Sequence, residues 1–205
     1  MVSSILFSLA LSGLLGFSPA APRHYVPAPT VAAAPMFASP FTSKDGRFSI
    51  NLPDGFGEPT LESQDVPSEL GPIKLHMHTA LGNDGVCLVG YSDISNVEFT
   101  DELREKMLEG AKEGAIENMN AKLESESTIT IDGRKAKSVR FSMDAEGQTM
   151  HGQFNYVMDG NRLYQIGYIA LTDNVIGNTA VQNYFDSFKI SPTAGTAKPA
   201  KGKKK

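Results

Sequence analysis

The stretch Asp101–Leu123, which reads DELREKMLEGAKEGAIENMNAKL, is the long helical pattern of this sequence. At 100° per residue its apolar side chains fall within one arc of about 160°, and charged side chains fill the other side. Because most of the remaining chain has strand patterns, we predict that this helix covers one face of a β-sheet. The members of the apolar arc are Leu103, Met107, Leu108, Ala111, Ala115, Met119 and Ala121, and the polar side includes Glu109, Lys112 and Glu117.

Two glycines and an asparagine interrupt the apolar arc of the helix. Gly110 and Gly114 each cost about 1 kcal/mol of helix propensity against alanine, so we expect the helix axis to approach the sheet closely there. Asn118 falls in the same arc and is expected to be a core amide. Thr100 precedes the helix and is predicted to be its N-cap.

The residues before the helix alternate between apolar and polar positions, a pattern typical of strands. Phe48, Ile50 and Leu52 form one such pattern and Pro72–Leu81 another, whereas Phe56–Leu70 is expected to be a polar loop. Val86–Tyr91 is almost continuously apolar, which predicts a central strand that is covered on both faces.

Four further strands are predicted after the helix, separated by short turns that contain glycine. A short helix over Thr179–Ser187 then follows. The expected fold class is α+β: an antiparallel sheet of about six to seven strands with one long central helix and one short C-terminal helix. The long helix would cross over between two parts of this sheet. The four strands are Ser127–Ile131, Lys135–Met143, Gln148–Met158 and Arg162–Ala170.

The two ends of the chain differ from this domain in composition. Ile5–Phe17 is an apolar run of 13 residues, which suits a signal peptide over residues 1–20 with cleavage after Ala20. An uncleaved N-terminal anchor is the alternative. Residues 21–40 are rich in proline and alanine and are expected to be a linker, residues 41–190 form the folded domain, and residues 191–205 are expected to be a disordered, lysine-rich tail.

Charge and cysteine content exclude several classes of function. The net charge is −4, and without the five lysines of the last eight residues the chain has 14 basic against 23 acidic residues. Such an acidic body argues against nucleic-acid binding, which needs a basic surface. The single Cys87 excludes an internal disulfide and a cysteine-built zinc site. The lysine tail could contact an anionic surface weakly.

His76 and His78 are the sharpest local feature, because two histidines at i and i+2 on a strand point from the same face. That spacing can chelate a metal if a third ligand comes from elsewhere, and His151, Asp93 and Asp84 are conceivable partners. The alternative is a polar strand face with solvated histidines. Cys87 lies in the most apolar strand and is expected to be an inert thiol, although a Cys–His pair with His76 or His78 is a further hypothesis.

Five segments carry a pattern that is known from other proteins: Asp45–Pro53, Gly71–His78, Tyr91–Asp93, Asn161–Tyr164 and Phe185–Ile190. Together they resemble the exported bacterial proteins of PsbP-like fold. The resemblance implies an antiparallel sheet between helices and a non-enzymatic accessory or binding role, with no cofactor. Its motifs are structural: turn glycines, strand starts and a terminal aromatic helix.

Three functional hypotheses follow from the sequence. The first is an exported, non-catalytic domain that binds an unknown protein or small ligand in the cell envelope (periplasmic or extracellular) and has no transmembrane segment after signal cleavage. The second is a metal-binding protein that uses His76 and His78. The third is a hydrolase or transferase whose site is built from dispersed residues, which would require a deep pocket lined by perturbed titratable groups.

Overall fold

The computed structural model describes residues 40–66, 72–94, 97–145 and 147–192. The predicted signal peptide and almost all of the predicted linker and lysine-rich tail lie outside these residues and stay predictions. Within the described ranges, no helix is both long enough and apolar enough to cross a membrane.

Ten strands and three helices make up the described chain. The three helices are α1 (Asp101–Asn118), α2 (Asp173–Ile176) and α3 (Thr179–Asp186). The strands are β1 (Phe41–Ser43), β2 (Phe48–Ile50), β3 (Thr60–Val66), β4 (Ile73–Leu81), β5 (Val86–Asp93), β6 (Lys122–Ile131), β7 (Arg134–Ala145), β8 (Gln148–Asp159), β9 (Arg162–Ala170) and β10 (Lys189–Ile190).

Seven strands form one antiparallel sheet in the order β3-β4-β5-β9-β8-β7-β6. This confirms the predicted α+β class and the predicted number of strands. Helix α1 leaves β5 in the middle of the sheet and returns the chain to β6 at the far edge, so its predicted role as a crossover is also confirmed. Strands β1, β2 and β10 form a separate small sheet, which the sequence did not predict.

The two faces of the large sheet carry different layers. Helix α1 packs on one face through Met107, Leu108, Ala111 and Ala115, all buried. On the other face lie α3 and the small sheet, and this second core contains aromatic side chains from both. Its aromatic members are Phe48, Tyr91, Tyr164, Tyr168, Tyr184, Phe185 and Phe188. Strand β5 has a side chain in each core, because Leu88 joins the α1 layer and Val89 the other, as its continuous apolar sequence predicted.

Helix α1 begins as predicted but ends earlier. The Thr100 hydroxyl accepts a hydrogen bond from the Leu103 amide at 3.2 Å, which confirms the N-cap. The helix ends at Asn118 rather than continuing to Leu123, because Asn120 adopts a left-handed conformation with φ of 47°. The Ala121 amide then donates to the Ile116 carbonyl at 2.9 Å, a bond of the Schellman motif. Strand β6 follows at once, five residues before its predicted start.

Three further expectations are wrong for identifiable reasons. The predicted loop Phe56–Leu70 contains strand β3, an edge strand whose side chains are mostly exposed and therefore lack an apolar alternation. Asn118 is exposed rather than in the core, and its amide donates to the Gly114 carbonyl one turn earlier at 2.6 Å. Lys112 is buried rather than solvated, because Glu109 and Glu126 surround its ammonium group.

Candidate functional site

His76 and His78 lie side by side on β4 and face the core that contains α3 and the small sheet. His76 is partly exposed, stacks on Tyr91 with ring centroids 4.8 Å apart, and shares a 2.7 Å hydrogen bond between its Nδ1 and the Ser63 hydroxyl. His78 is buried between the rings of Phe41 and Phe48. The common face predicted from the i, i+2 spacing is therefore present.

The ring nitrogens of His78 are not equivalent. Nε2 lies 3.1 Å from the Ser43 hydroxyl, whereas Nδ1 is buried without a hydrogen-bond partner. Burial lowers the pKa of His78 below its usual value, and the nearby His76 lowers it further. A neutral His78 is the form that could ligate a metal, but it is equally the form that a buried aromatic neighbourhood favours.

The three conceivable third ligands are placed differently. Asp93 lies at the end of β5 and forms an ion pair with Arg162. Asp84 lies between β4 and β5, beyond Leu81, and His151 lies on β8, which β5 and β9 separate from β4. Three strand spacings amount to roughly 14 Å, so His151 is remote from the histidine pair. Metal binding by His76 and His78 stays a prediction.

Cys87 is buried, as the sequence predicted. Burial raises the pKa of its thiol far above the usual range. A thiol in this state is a poor nucleophile, because the reactive species is the thiolate. The Cys–His hypothesis therefore gains no support from the surroundings of Cys87.

Three of the segments that carry the family resemblance contact one another. Arg162 is mostly buried and binds both carboxylate oxygens of Asp93, at 2.7 and 2.5 Å. Its guanidinium also lies over the Tyr91 ring and donates to the Asp45 carbonyl at 2.6 Å. The Tyr164 hydroxyl donates to the neighbouring Gly46 carbonyl at 2.9 Å. These contacts join the β1–β2 turn to β5 and β9, so the shared motifs form one packing unit.

A groove of about 750 Å³ lies on the opposite side of the sheet, beside the first two turns of α1. We call it the α1 groove. Leu108 and Met158 are apolar and largely buried at its base, and charged side chains from α1, β7 and β8 form its rim. The rim residues are Asp101, Glu102, Arg104, Glu105, Arg134, Lys135 and Asp159.

Ion pairs already connect much of this rim. Lys135 lies 2.6 Å from Glu105, and Arg134 lies 2.8 Å from Asp159. Arg104 donates to the Gly160 carbonyl at 2.6 Å and lies over the Phe99 ring. The Lys135–Glu105 pair is exposed and is worth only about 0–1 kcal/mol, so a ligand can replace it at small cost, whereas the Arg134–Asp159 pair is partly buried. The groove therefore combines two largely buried apolar residues with a rim that carries both charges.

A third group of polar side chains lies at the far edge of the sheet. Glu124, His151 and Asp173 come from β6, β8 and α2, and their ligand atoms lie within 4.8 Å of one another. Of the residues that the structure describes, these three form the one group of three or more carboxylate, imidazole or thiol side chains close enough to hold an ion.

Sequence reasoning missed both the groove and the Glu124 group, although it noted His151. The groove forms where the β8–β9 turn lies beside α1. That contact depends on the order of the strands in the sheet, which the sequence did not reveal. Glu124 lies between the predicted helix Asp101–Leu123 and the predicted strand Ser127–Ile131, so its position in a strand was not predicted. A helix boundary drawn at Asn120, whose type favours the left-handed conformation, could have exposed that position.

No protein-family model and no curated protein sequence matches the chain. Among solved structures, it is similar to the solution structure of cyanobacterial PsbP from Synechocystis, with a TM-score of 0.50 and 11% identity over 74% of this chain and 91% of that one. It is also similar to a crystal structure from Bacteroides thetaiotaomicron, with a TM-score of 0.50 and 11% identity over 77% of this chain. The match covers 50% of that longer protein.

A third similar structure is that of LpqN from Mycobacterium tuberculosis, which is involved in cell envelope biogenesis. Its TM-score is 0.47 and its identity 15%, over 75% of this chain and 90% of LpqN. At such identities a structural likeness speaks to the fold. Together with the seven-stranded sheet and its crossover helix, the likeness to cyanobacterial PsbP shows that this chain has the PsbP-like fold.

Proposed function

We propose that the chain is an exported, non-catalytic binding domain that takes its ligand, a segment of another protein, in the α1 groove. The observation that carries this proposal is the groove itself, with Leu108 and Met158 at the base and charges of both signs at the rim. Protein interfaces combine an apolar centre with a polar rim in the same way. A small polar ligand in the same groove is the alternative occupant.

The proposal of a non-catalytic role rests on the structural causes of the perturbed pKa values. Asp93 has a pKa below its usual range because Arg162 donates hydrogen bonds to it, and both residues belong to the packing unit at the β1–β2 turn. Burial in the core raises the pKa of Tyr168 to about 12. These shifts have structural causes, whereas a hydrolase or transferase would place such groups around its substrate.

The proposal of export rests on the sequence. The apolar run Ile5–Phe17 has the length of a signal-peptide core. The Pro/Ala-rich residues 21–40 would then form an extended linker in front of the domain. The acidic charge of the domain favours a partner that is not a nucleic acid.

Site-specific crosslinking in a cell-envelope extract tests this proposal. A photo-crosslinking residue replaces Glu102 at the groove rim in one variant and Lys74 on β4 in a matched control, since both side chains are more than half exposed. We expect a defined adduct from position 102 that Lys135→Glu weakens at least fivefold, and none from position 74. Equal labelling from both positions would contradict the groove as the binding site.

The enzymatic alternative is tested with the purified protein. Ester, phosphoester and peptide substrates are incubated with the wild-type protein and with a variant that carries Glu105→Gln and Asp159→Asn in the groove. The proposal predicts no turnover above the buffer rate. Turnover that the double variant abolishes would overturn the non-catalytic part of the proposal.

A further inference from the structure

We infer that Glu124, His151 and Asp173 form a binding site for a divalent transition-metal ion, with Zn²⁺ the cation that their donors fit best. The inference is independent of the proposed function. The three residues lie on the sheet face that carries α2 and α3, whereas the α1 groove lies on the other face.

The separations between the ligand atoms favour a shared ion over direct hydrogen bonds. His151 Nδ1 lies 3.6 Å from Glu124 Oε1 and 3.9 Å from Asp173 Oδ1, both too long for a hydrogen bond. Zinc bonds to imidazole and carboxylate are about 2.0–2.1 Å long, so the ligands of a tetrahedral site lie roughly 3.4 Å apart. Small side-chain rotations would bring all three donors to that separation, and water would fill the fourth position.

The backbone explains the positions of the Glu124 and Asp173 carboxylates. The register between β6 and β7 shifts between Leu123 and Ser125, so Glu124 is the extra residue of a β-bulge. Bulges re-aim a side chain out of the regular alternation, and here the Glu124 carboxylate reaches His151 two strands away. Asp173 is the first residue of α2, which folds back over β8 and β9.

The state of His151 is the second observation that points to a ligand. Its Nδ1 is inaccessible to solvent and makes no hydrogen bond, although it faces two carboxylates. Buried polar atoms usually have a partner, and a metal ion on Nδ1 would supply one. Arg140 donates to Asp173 Oδ1 at 2.5 Å and would orient that carboxylate.

The donor set decides which cation fits. One imidazole and two carboxylates resemble the mixed nitrogen and oxygen sites that zinc occupies, whereas Mg²⁺ and Ca²⁺ prefer oxygen donors alone. The competing possibility is a protonated His151 that pairs with both carboxylates and excludes a cation. The positive Arg140 weakens any cation site here, so we expect micromolar rather than nanomolar affinity.

Calorimetric titration of the chelator-treated full chain with ZnCl₂ tests the inference, with MgCl₂ as the comparison. We expect one bound Zn²⁺ per chain, at least tenfold weaker binding in Glu124→Gln and His151→Gln, and unchanged binding in the control His76→Ala. Mg²⁺ should bind at least tenfold more weakly than Zn²⁺. Absence of zinc binding by the wild-type protein would overturn the inference. Loss of zinc binding in His76→Ala together with unchanged zinc binding in His151→Gln would also overturn it.

Thermal melts separate lost ligation from lost folding. Zinc should raise the Tm of the wild-type protein and of His76→Ala but not that of His151→Gln, because only a folded state with an intact site gains from binding. Glu124 lies exposed at the sheet edge, so Glu124→Gln should melt like wild type without zinc. A zinc-induced shift of equal size in all variants would contradict the site.

Discussion

Arg162 on β9 and Asp93 on β5 are directly opposed in the sheet, and the guanidinium binds both oxygens of the carboxylate. Asp45 of the β1–β2 turn accepts a further bond from the same guanidinium through its carbonyl. One side chain therefore joins the large sheet to the turn that supports the small one. This relationship explains why the family-like segments around Asp45, Asp93 and Arg162 occur together.

Replacing Arg162 by lysine should destabilise the fold by about 1–3 kcal/mol, measured by urea unfolding. Lysine keeps the charge but cannot bind the carboxylate through two donors while also reaching the Asp45 carbonyl. The expected loss of stability is smaller than for a fully buried ion pair, because the Asp93 side chain is 58% exposed. Lys74→Gln, which removes an exposed pair with Asp65, is the control and should change stability by less than about 0.5 kcal/mol.

The same ion pair should make stability depend on pH in the acid range. The hydrogen bond from Arg162 lowers the pKa of Asp93 in the folded state. Its contribution is thus present above the ordinary carboxyl pKa of about 4 and is lost as the pH falls through the folded-state value. We expect the free energy of unfolding to fall less steeply between pH 5 and 2 in Asp93→Asn than in wild type. Parallel pH profiles for the two proteins would contradict this linkage.

Glu109 should be the most sensitive acidic residue of α1. It contacts the ammonium groups of Lys112 and Lys137, which are both buried. Removing it leaves two buried cations with Glu126 alone, so Glu109→Ala should cost about 1–3 kcal/mol in chemical denaturation. The control is Glu113→Ala on the exposed side of the same helix. Similar losses of unfolding free energy in both variants would show that the contacts of Glu109 with the two buried lysines do not stabilise the fold.

Gly114 should not tolerate a large side chain. It is buried on the α1 face that covers the sheet, so Gly114→Leu is expected to over-pack that layer and lower the free energy of unfolding by about 1–3 kcal/mol. Glu113→Leu adds a leucine at the adjacent exposed position and should be nearly neutral. Gly110 is half-buried, and we expect Gly110→Leu to destabilise as well. Unchanged thermal melts for both glycine variants would mean that this face is loosely packed.

The parts of the fold that the sequence predicted are those with a strong local signal. Pro72–Leu81 alternates cleanly, and β4 begins one residue later than predicted and ends at the predicted residue. Thr100 caps α1, and Asp132-Gly133 provides the two positive φ angles, 48° and 78°, that a tight β6–β7 turn needs. Each of these features depends on neighbours along the chain, so one sequence is enough to find it.

The parts that the sequence did not predict depend on neighbours in space. Strand β3 is held by main-chain pairing with β4, and its exposed side chains leave no pattern. Lys112 looks like a solvated residue until Glu126, on β6, supplies the second carboxylate. Glu124 meets His151 only because of a bulge and a strand order that no local rule fixes.

Amide hydrogen exchange on the complex with the crosslinked partner addresses the binding role of the α1 groove. Binding there should slow exchange in the first two turns of α1 and at the β8–β9 turn around Gly160, where the groove residues lie. Strands β3 and β4 should exchange as in the free protein. Protection confined to β3 and β4, with α1 unchanged, would contradict the groove as the ligand site.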